Sequence, residues 1–408
     1  MLHLVLPVLT SSVMIHPTSA CSICQSKEME SIFRLPGAPV YCNVLWDTPQ
    51  EAKLCPRGDI ELSLCRSCGM IANAVFDPAV VAYEPRYENS LHFSPLFQEY
   101  AEKLARRLVH DYALQGKTVI EIGCGKGEFL ASLCRLGNNR GIGFDPSYVN
   151  GRVDSTAGQG FSVICDHFSE KYEDLACDLL VCRHTLEHIP DPAAFLTGIR
   201  HALGRRQVPI FFEVPNALFT LRQGGIWDVI YEHCSYFCPP TLARLFRQSH
   251  LSVRGMREDF GGQFLCMDAV NANGTSFGPA AREDADNEVV RIVQDARKLG
   301  QEFREKVEYW RKTLQAFRQA GKRTVVWGAG SKGVTFLNAV GEEGIEYVID
   351  LNSNKHGRYI PGTGQRVVPP AFLQEYRPDV VLVMNPIYRD EIQSQLGSLN
   401  VTVELLPV

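Results

Sequence analysis

One short stretch of this chain concentrates acid–base chemistry: Tyr231-Glu232-His233-Cys234-Ser235-Tyr236. Imidazole titrates near neutral pH and accepts a proton from a weak acid. A carboxylate beside it orients the ring or raises its basicity, and phenols hydrogen-bond a developing oxyanion. On this reading His233 is a general base, with Glu232, Tyr231 and Tyr236 supporting it. The competing reading is an aromatic belt on a sheet, with His233 a satisfied core histidine. The residues alone leave both open.

A second constellation is built to hold a ligand. Val119-Ile120-Glu121-Ile122-Gly123-Cys124-Gly125-Lys126-Gly127 reads as a strand ending in an acid, then a glycine turn that opens a helix. Glycines let the backbone approach a ligand without interference from a Cβ. A dinucleotide would put its diphosphate at the helix N-terminus. Glu121 suits a cation better, such as the sulfonium and ammonium of S-adenosylmethionine (SAM). About twenty residues on, Gly141-Ile142-Gly143-Phe144-Asp145 ends the next strand in a carboxylate, where a ribose diol is held. Asp166, after the third strand, is placed for an adenine amino group. The fourth strand ends in Cys182-Arg183-His184-Thr185-Leu186-Glu187-His188, with His184 nearest the strand end. Glu187 and His188 read as the opening of a helix rather than as substrate contacts.

Two CxxC pairs form the third constellation: Cys21 with Cys24, and Cys65 with Cys68. Four thiolates in paired tight turns make a closed structural zinc site. Cys42 and Cys55, between the pairs, read as buried or loop cysteines. The chain has fourteen cysteines in 408 residues, and outside these pairs they form no disulfide framework. That points to a reducing, cytoplasmic setting. The net charge of −5 carries no basic field for nucleic acid. Residues 1–20 are apolar at first but lack a leading Lys or Arg, and Pro7 interrupts the run. They read as a disordered lead or a start-site extension. No stretch is long enough to cross a bilayer.

The elements that must position these groups alternate. A helix is predicted over 91–115 with Leu96, Tyr100, Leu104 and Leu108 on one face. Strands and helices then alternate through Glu213-Val214-Pro215-Asn216, which means a parallel sheet covered by helices. Polar helices over 284–319, with Val290, Val293, Ala296 and Leu299 on one face, read as a connector. A second α/β series follows. In it Gly328-Ala329-Gly330-Ser331-Lys332-Gly333 and Asp350 satisfy the dinucleotide fingerprint.

From about residue 95 to 250 this order resembles the class I SAM-dependent methyltransferases. The resemblance implies that Glu121, Gly123 and Gly125 line the methionine end, Asp145 the ribose and Asp166 the base. The whole chain from Cys21 onward, with its Glu-His-x-Ser-Tyr-Phe segment, resembles the sugar C-methyltransferases, which methylate the carbon beside the ketone of nucleotide-linked 4-keto deoxysugars. That implies an enolate formed by His233, supported by Glu232 and Tyr236. It also implies a C-terminal Rossmann-like domain that helps bind the nucleotide sugar. The family reads Tyr-His-Glu-His where this chain has Ile230-Tyr231-Glu232-His233, so the family tyrosine falls on Ile230. Tyr83, Tyr87 and Ser90 resemble a family segment that reaches toward the substrate, or else form a packed linker.

The expected architecture is α/β in three parts: a zinc module (21–90), a class I methyltransferase core (91–280) and, after a helical connector (281–320), a Rossmann-like substrate-binding domain (321–408). The expected partner is a small molecule, without nucleic acid or membrane, and the chain is expected to act as a monomer. Two other activities fit the same residues: O- or N-methylation of a sugar or small metabolite, and NAD-dependent oxidation at the C-terminal fingerprint.

Overall fold

The computed structural model describes residues 20–81, 87–148, 160–271, 282–341 and 344–408. The lead segment up to residue 19 and Tyr83 lie outside them. The first part is built on β1 (Met29–Pro39), α1 (Pro49–Lys53), β2 (Arg57–Cys65) and β3 (Ile71–Asn73), with β1–β2 and β2–β3 antiparallel. Thr48 and Glu51 close a capping box that starts α1.

The middle part opens with α2 (Pro95–Asp111). The Ser94 hydroxyl accepts from the Phe97 N–H, and Pro95 occupies the first turn. Phe97, Leu104 and Leu108 are buried in one cluster with Phe211 and Phe264 of the sheet. A buried leucine or phenylalanine contributes about 1.5–3 kcal/mol, and the cap about 1 kcal/mol. Packing therefore decides where this helix lies, and the cap decides where it begins.

Then come β4 (Thr118–Ile122), α3 (Glu128–Gly137), β5 (Arg140–Phe144), β6 (Phe161–Ile164), β7 (Leu179–Arg183), α4 (Pro192–Leu203), β8 (Pro209–Pro215) and α5 (Ala217–Arg222). They are followed by β9 (Ser235–Tyr236), α6 (Pro239–Gln248), β10 (Leu251–Asp259) and β11 (Phe264–Asn271). Seven strands form one sheet in the order β10-β11-β8-β7-β4-β5-β6. From β6 to β8 neighbours are parallel, while β11 runs antiparallel to β8 and β10. Chain order reverses at β4, so a crevice opens at its carboxyl end. This is the class I methyltransferase sheet. The two-residue strand β9 leaves it and pairs with β3, Ile71 opposite Tyr236 and Ala72 opposite Ser235. The first part and the middle part thus share a sheet across the expected boundary at residue 90.

The connector is two helices, α7 (Arg282–Ala296) and α8 (Leu299–Gln319). Val290, expected inside, is 56% exposed; the buried stripe runs through Ile292, Ala296, Leu299, Phe303, Val307, Trp310 and Leu314. Ile292 sets this face because it packs over Gly69 at the second cysteine pair.

The last part comprises β12 (Thr324–Trp327), α9 (Ser331–Val340), β13 (Ile345–Ile349), β14 (Arg366–Val368), α10 (Leu373–Tyr376), β15 (Val380–Val383), α11 (Arg389–Ser398) and β16 (Glu404–Pro407). Its five strands are all parallel, in the order β14-β13-β12-β15-β16, a Rossmann-like sheet. One continuous core holds Phe33 and Leu62 of the first part, Trp227 and Ile230 of the middle part, and Phe336 of the last. The Trp227 and Phe336 rings meet edge to face at 5.1 Å. The segment that leads to His233 is clamped by this shared core.

Candidate active site

At the end of β4 the chain turns through Gly123, Gly125 and Gly127, with φ of 68°, 53° and 80°. Side chains rarely adopt this left-handed backbone. A Cβ on Gly123 would stand 2.0 Å from Thr185 Oγ1, and one on Gly127 2.5 Å from the Phe161 ring. Asp145, at the end of β5, braces the turn from behind: its carboxylate accepts from Gly125 N (2.8 Å) and Ser147 N (2.8 Å). Glu121 is buried, and its Oε2 has no hydrogen-bond partner. Burial pushes its carboxyl up to about 8, while Arg183 pulls the other way. A buried acid with an orphaned oxygen beside a bare backbone cradle fits the cationic methionine end of SAM. Ser90 donates to both oxygens of Glu128 at the start of α3 (2.8 and 2.9 Å).

The carboxyl ends of β7 and β8 carry a buried charge network that sequence reading missed. Arg183 donates twice to Glu213 Oε1 (2.7 and 3.1 Å), and Tyr100 donates to the other oxygen. His184 Nε2 lies 2.8 Å from Glu213. Burial would raise Glu213, but Arg183 and His184 hold it well below the ordinary carboxylate range. The signal lay in an arginine and a glutamate at two strand ends, and only the pairing of β7 with β8 makes them face each other. His184 itself lines the crevice, with a φ of 49°.

A cavity of about 390 Å³ runs from the β4 turn to the glycine turn of the last part. Its walls include Glu121, Gly123, Gly125, His184, His188 and His233 on one side, and Gly328, Gly330, Lys332 and Asp350 on the other. Tyr87 and Ser90 also line it. The His233 ring stands edge to face with His188 at 4.9 Å and with Tyr236 at 6.2 Å. Burial, then His188, His184 and Lys332, hold His233 well below its ordinary value. This favours the neutral ring, the form in which a base must begin. Lys332 pairs with Asp228 across the cavity, joining the last part to the middle one.

The other expected catalytic groups are placed differently. Tyr231 accepts from Asp77 N (3.0 Å), and its ring lies over Gly58, where a Cβ would come within 2.3 Å. Tyr236 donates to Ile230 O and accepts from Ile230 N, both at 3.2 Å. Glu232 accepts from Cys42 N (2.8 Å), and burial pushes it up to about 7. Its carbonyl, not its carboxylate, reaches the cavity wall, where it accepts from His188 Nδ1 (3.0 Å). These three side chains brace the segment, and of the four His233 faces the cavity. Asp166 sits at the surface, held by Lys171, Tyr172 (2.6 Å) and His167 N (2.7 Å).

Cys21 and Cys68 bring their sulfurs to 3.6 Å, and Cys24 and Cys65 to 3.4 Å. All four lie within 4.8 Å of one another. A tetrahedral ion with metal–sulfur bonds of about 2.3 Å needs sulfurs about 3.8 Å apart, so the four thiols fit such an ion. Among the described residues, no helix is long and apolar enough to cross a membrane.

Residues 96–254 match a methyltransferase domain family, and residues 269–402 match the C-methyltransferase C-terminal domain family. The C-methyltransferase NovU of Streptomyces niveus is 26% identical over 394 residues, covering 93% of this chain and 92% of that protein. A ubiquinone biosynthesis O-methyltransferase of Bordetella avium is 26% identical over 43% of this chain and 77% of its own length. Among solved structures, 1,6-didemethyltoxoflavin-N1-methyltransferase of Burkholderia thailandensis superposes with a TM-score of 0.34 and 20% identity, over 44% of this chain and 81% of that one.

Proposed function

We propose, from the premise that this chain is a SAM-dependent methyltransferase of the C-methyltransferase family, that it methylates the carbon beside the ketone of a nucleotide-linked keto deoxysugar. One observation carries this reading. His233 faces a cavity whose walls are the β4 glycine turn on one side and the glycine turn of the C-terminal domain on the other. A ligand held across that space brings its own carbon acid to the imidazole and to the methyl donor together.

SAM supplies an electrophilic methyl group on a sulfonium. Glu121 meets its cationic end, the turn from Gly123 to Gly127 admits its backbone, and Asp145 braces that turn for the ribose. His184 borders the same crevice. His233 takes the proton from the carbon beside the ketone, and the resulting enolate carbon would accept the methyl as its bond to the sulfonium sulfur breaks, with the neutral thioether as leaving group. Holding both reactants in one cavity supplies much of the rate. Glu232 positions the segment through its carbonyl to His188, and Tyr236 locks Ile230. Gly328, Gly330 and Lys332 receive the diphosphate of the nucleotide at the N-terminus of α9. Cys21, Cys24, Cys65 and Cys68 hold a structural zinc ion, and the enzyme works in the cytoplasm.

His233→Asn tests the assignment. Turnover of a nucleotide-linked 4-keto deoxysugar is expected to vanish while calorimetric SAM binding persists; an active variant overturns the base. Product NMR is expected to show a new carbon-bound methyl, and an oxygen- or nitrogen-bound methyl would overturn the acceptor reading.

A further inference from the structure

The cavity wall carries a grouping of three side chains, of which the proposed methyl transfer uses His233 as its base. Glu187, His188 and His233 bring one ligand atom each within 4.8 Å of the others. Two imidazoles and a carboxylate are a common ligand set for divalent transition ions. At metal–ligand distances of about 2.1 Å, such an ion needs donor atoms about 3–3.5 Å apart. Donor atoms within 4.8 Å of one another stand near that spacing.

Two further observations point to a ligand. Glu187 is 2% exposed, yet its Oε2 has no hydrogen-bond partner. A buried carboxyl oxygen without a partner is costly, and either a proton or a cation relieves it. His188 is set up as metal-bound histidines are: Nδ1–H donates to the Glu232 carbonyl at 3.0 Å, which fixes the tautomer and leaves Nε2 as the basic nitrogen. Glu187 and His188 sit in the one-turn helix Leu186–His188, and His233 arrives from the segment clamped by the shared core. The three come from two rigid pieces of chain.

We propose that Glu187, His188 and His233 bind a divalent transition ion, and that this ion competes with the substrate proton for the His233 lone pair. No electron moves: the imidazole nitrogen donates to the ion, and the proton stays on its carbon. The site is distinct from the four-cysteine cluster in donor chemistry. The competition half rests on His233 being the base, and the binding half does not.

Cobalt(II) separates these cases. The untagged, full-length protein is titrated as isolated and followed by visible absorption. Cobalt at the cysteines gives intense thiolate charge-transfer bands, and cobalt at Glu187, His188 and His233 gives only weak d–d bands. Saturable d–d absorption free of thiolate bands is expected. Glu187→Gln, which keeps the side chain's shape, is expected to weaken it at least about tenfold while the cysteine cluster is untouched. Absence of that absorption, or its persistence in Glu187→Gln, overturns the site and leaves the base assignment standing. Methyl transfer is expected to fall with the same cobalt dependence and to recover with a chelator. Full activity with cobalt bound would overturn the competition and the base assignment together, while the site stands.

Discussion

Two glycine turns of this chain are built alike and carry different kinds of side chain. In the middle domain Asp145 accepts from Gly125 N and Ser147 N, both at 2.8 Å. In the C-terminal domain Asp350 accepts from Ala329 N and Asn352 N, again both at 2.8 Å. The side chains around the two frames differ. Two residues before Gly123 stands Glu121, with an orphaned oxygen, and Glu128 occupies the first turn of the helix. Two residues before Gly328 stands buried Val326, and Lys332 occupies the corresponding first turn. On the proposed reading, the backbone frame admits a nucleotide-like ligand, and the residues at the strand end and first helical turn select its charge. The dinucleotide-type turn of the C-terminal domain and the β4 glycine turn line the same cavity.

The contrast breaks most readily at Glu121. Glu121→Gln is expected to weaken SAM binding about 100-fold, roughly 3 kcal/mol, as loss of one partner in a buried charge pair does. Calorimetric titration reads this directly, and a change under threefold would mean that the acid does not select the cofactor. Next come paired glycine changes. Gly123→Ala forces a φ of 68° on alanine and drives its Cβ to 2.0 Å from Thr185, so a stability loss of about 2 kcal/mol or more is expected. Gly330→Ala meets no atom within 4 Å and is expected to stay within about 0.5 kcal/mol. Any rise in acceptor KM in the second variant then reports a ligand at that turn. Equal melting losses in the two would erase the distinction.

Lys332→Met should raise acceptor KM about tenfold and leave the SAM Kd unchanged; the reverse pattern would move the anion elsewhere. The smallest effect is that of pH. Folded Glu121 titrates near 8 against 4.5 as its ordinary value. Between these values the folded state binds more protons than the unfolded one, so the SAM-free protein loses stability as pH rises. SAM, which favours the carboxylate, should bind about fivefold tighter at pH 8 than at pH 7. Glu121→Gln should flatten both trends, in thermal melts and in titrations.

Much of this was legible in the chain because it is local. A strand, a glycine turn and a helix are neighbours in sequence, and so are the cysteines of each pair. What was hidden depends on contacts between distant segments. Tyr231 and Tyr236 stand beside His233 in sequence, yet their hydroxyls are taken by Asp77 N and by the backbone of Ile230. Glu187 read as the start of a helix, but α4 begins at Pro192, capped by Asp191, which leaves Glu187 in a single turn against the cavity. The connector's inner face shifted from Val290 to Ile292 because Gly69, more than two hundred residues earlier, offers the packing surface.

The two residues of β9 have a consequence for how such proteins can diversify. His233 lies just before Ser235 and Tyr236, which complete the sheet of the N-terminal part by pairing with Ala72 and Ile71. A recombination that exchanged the methyltransferase core alone would bring a foreign edge to that sheet and shift the histidine with it. Exchange of the core alone is therefore expected to disturb the sheet of the N-terminal part and the placement of His233 together.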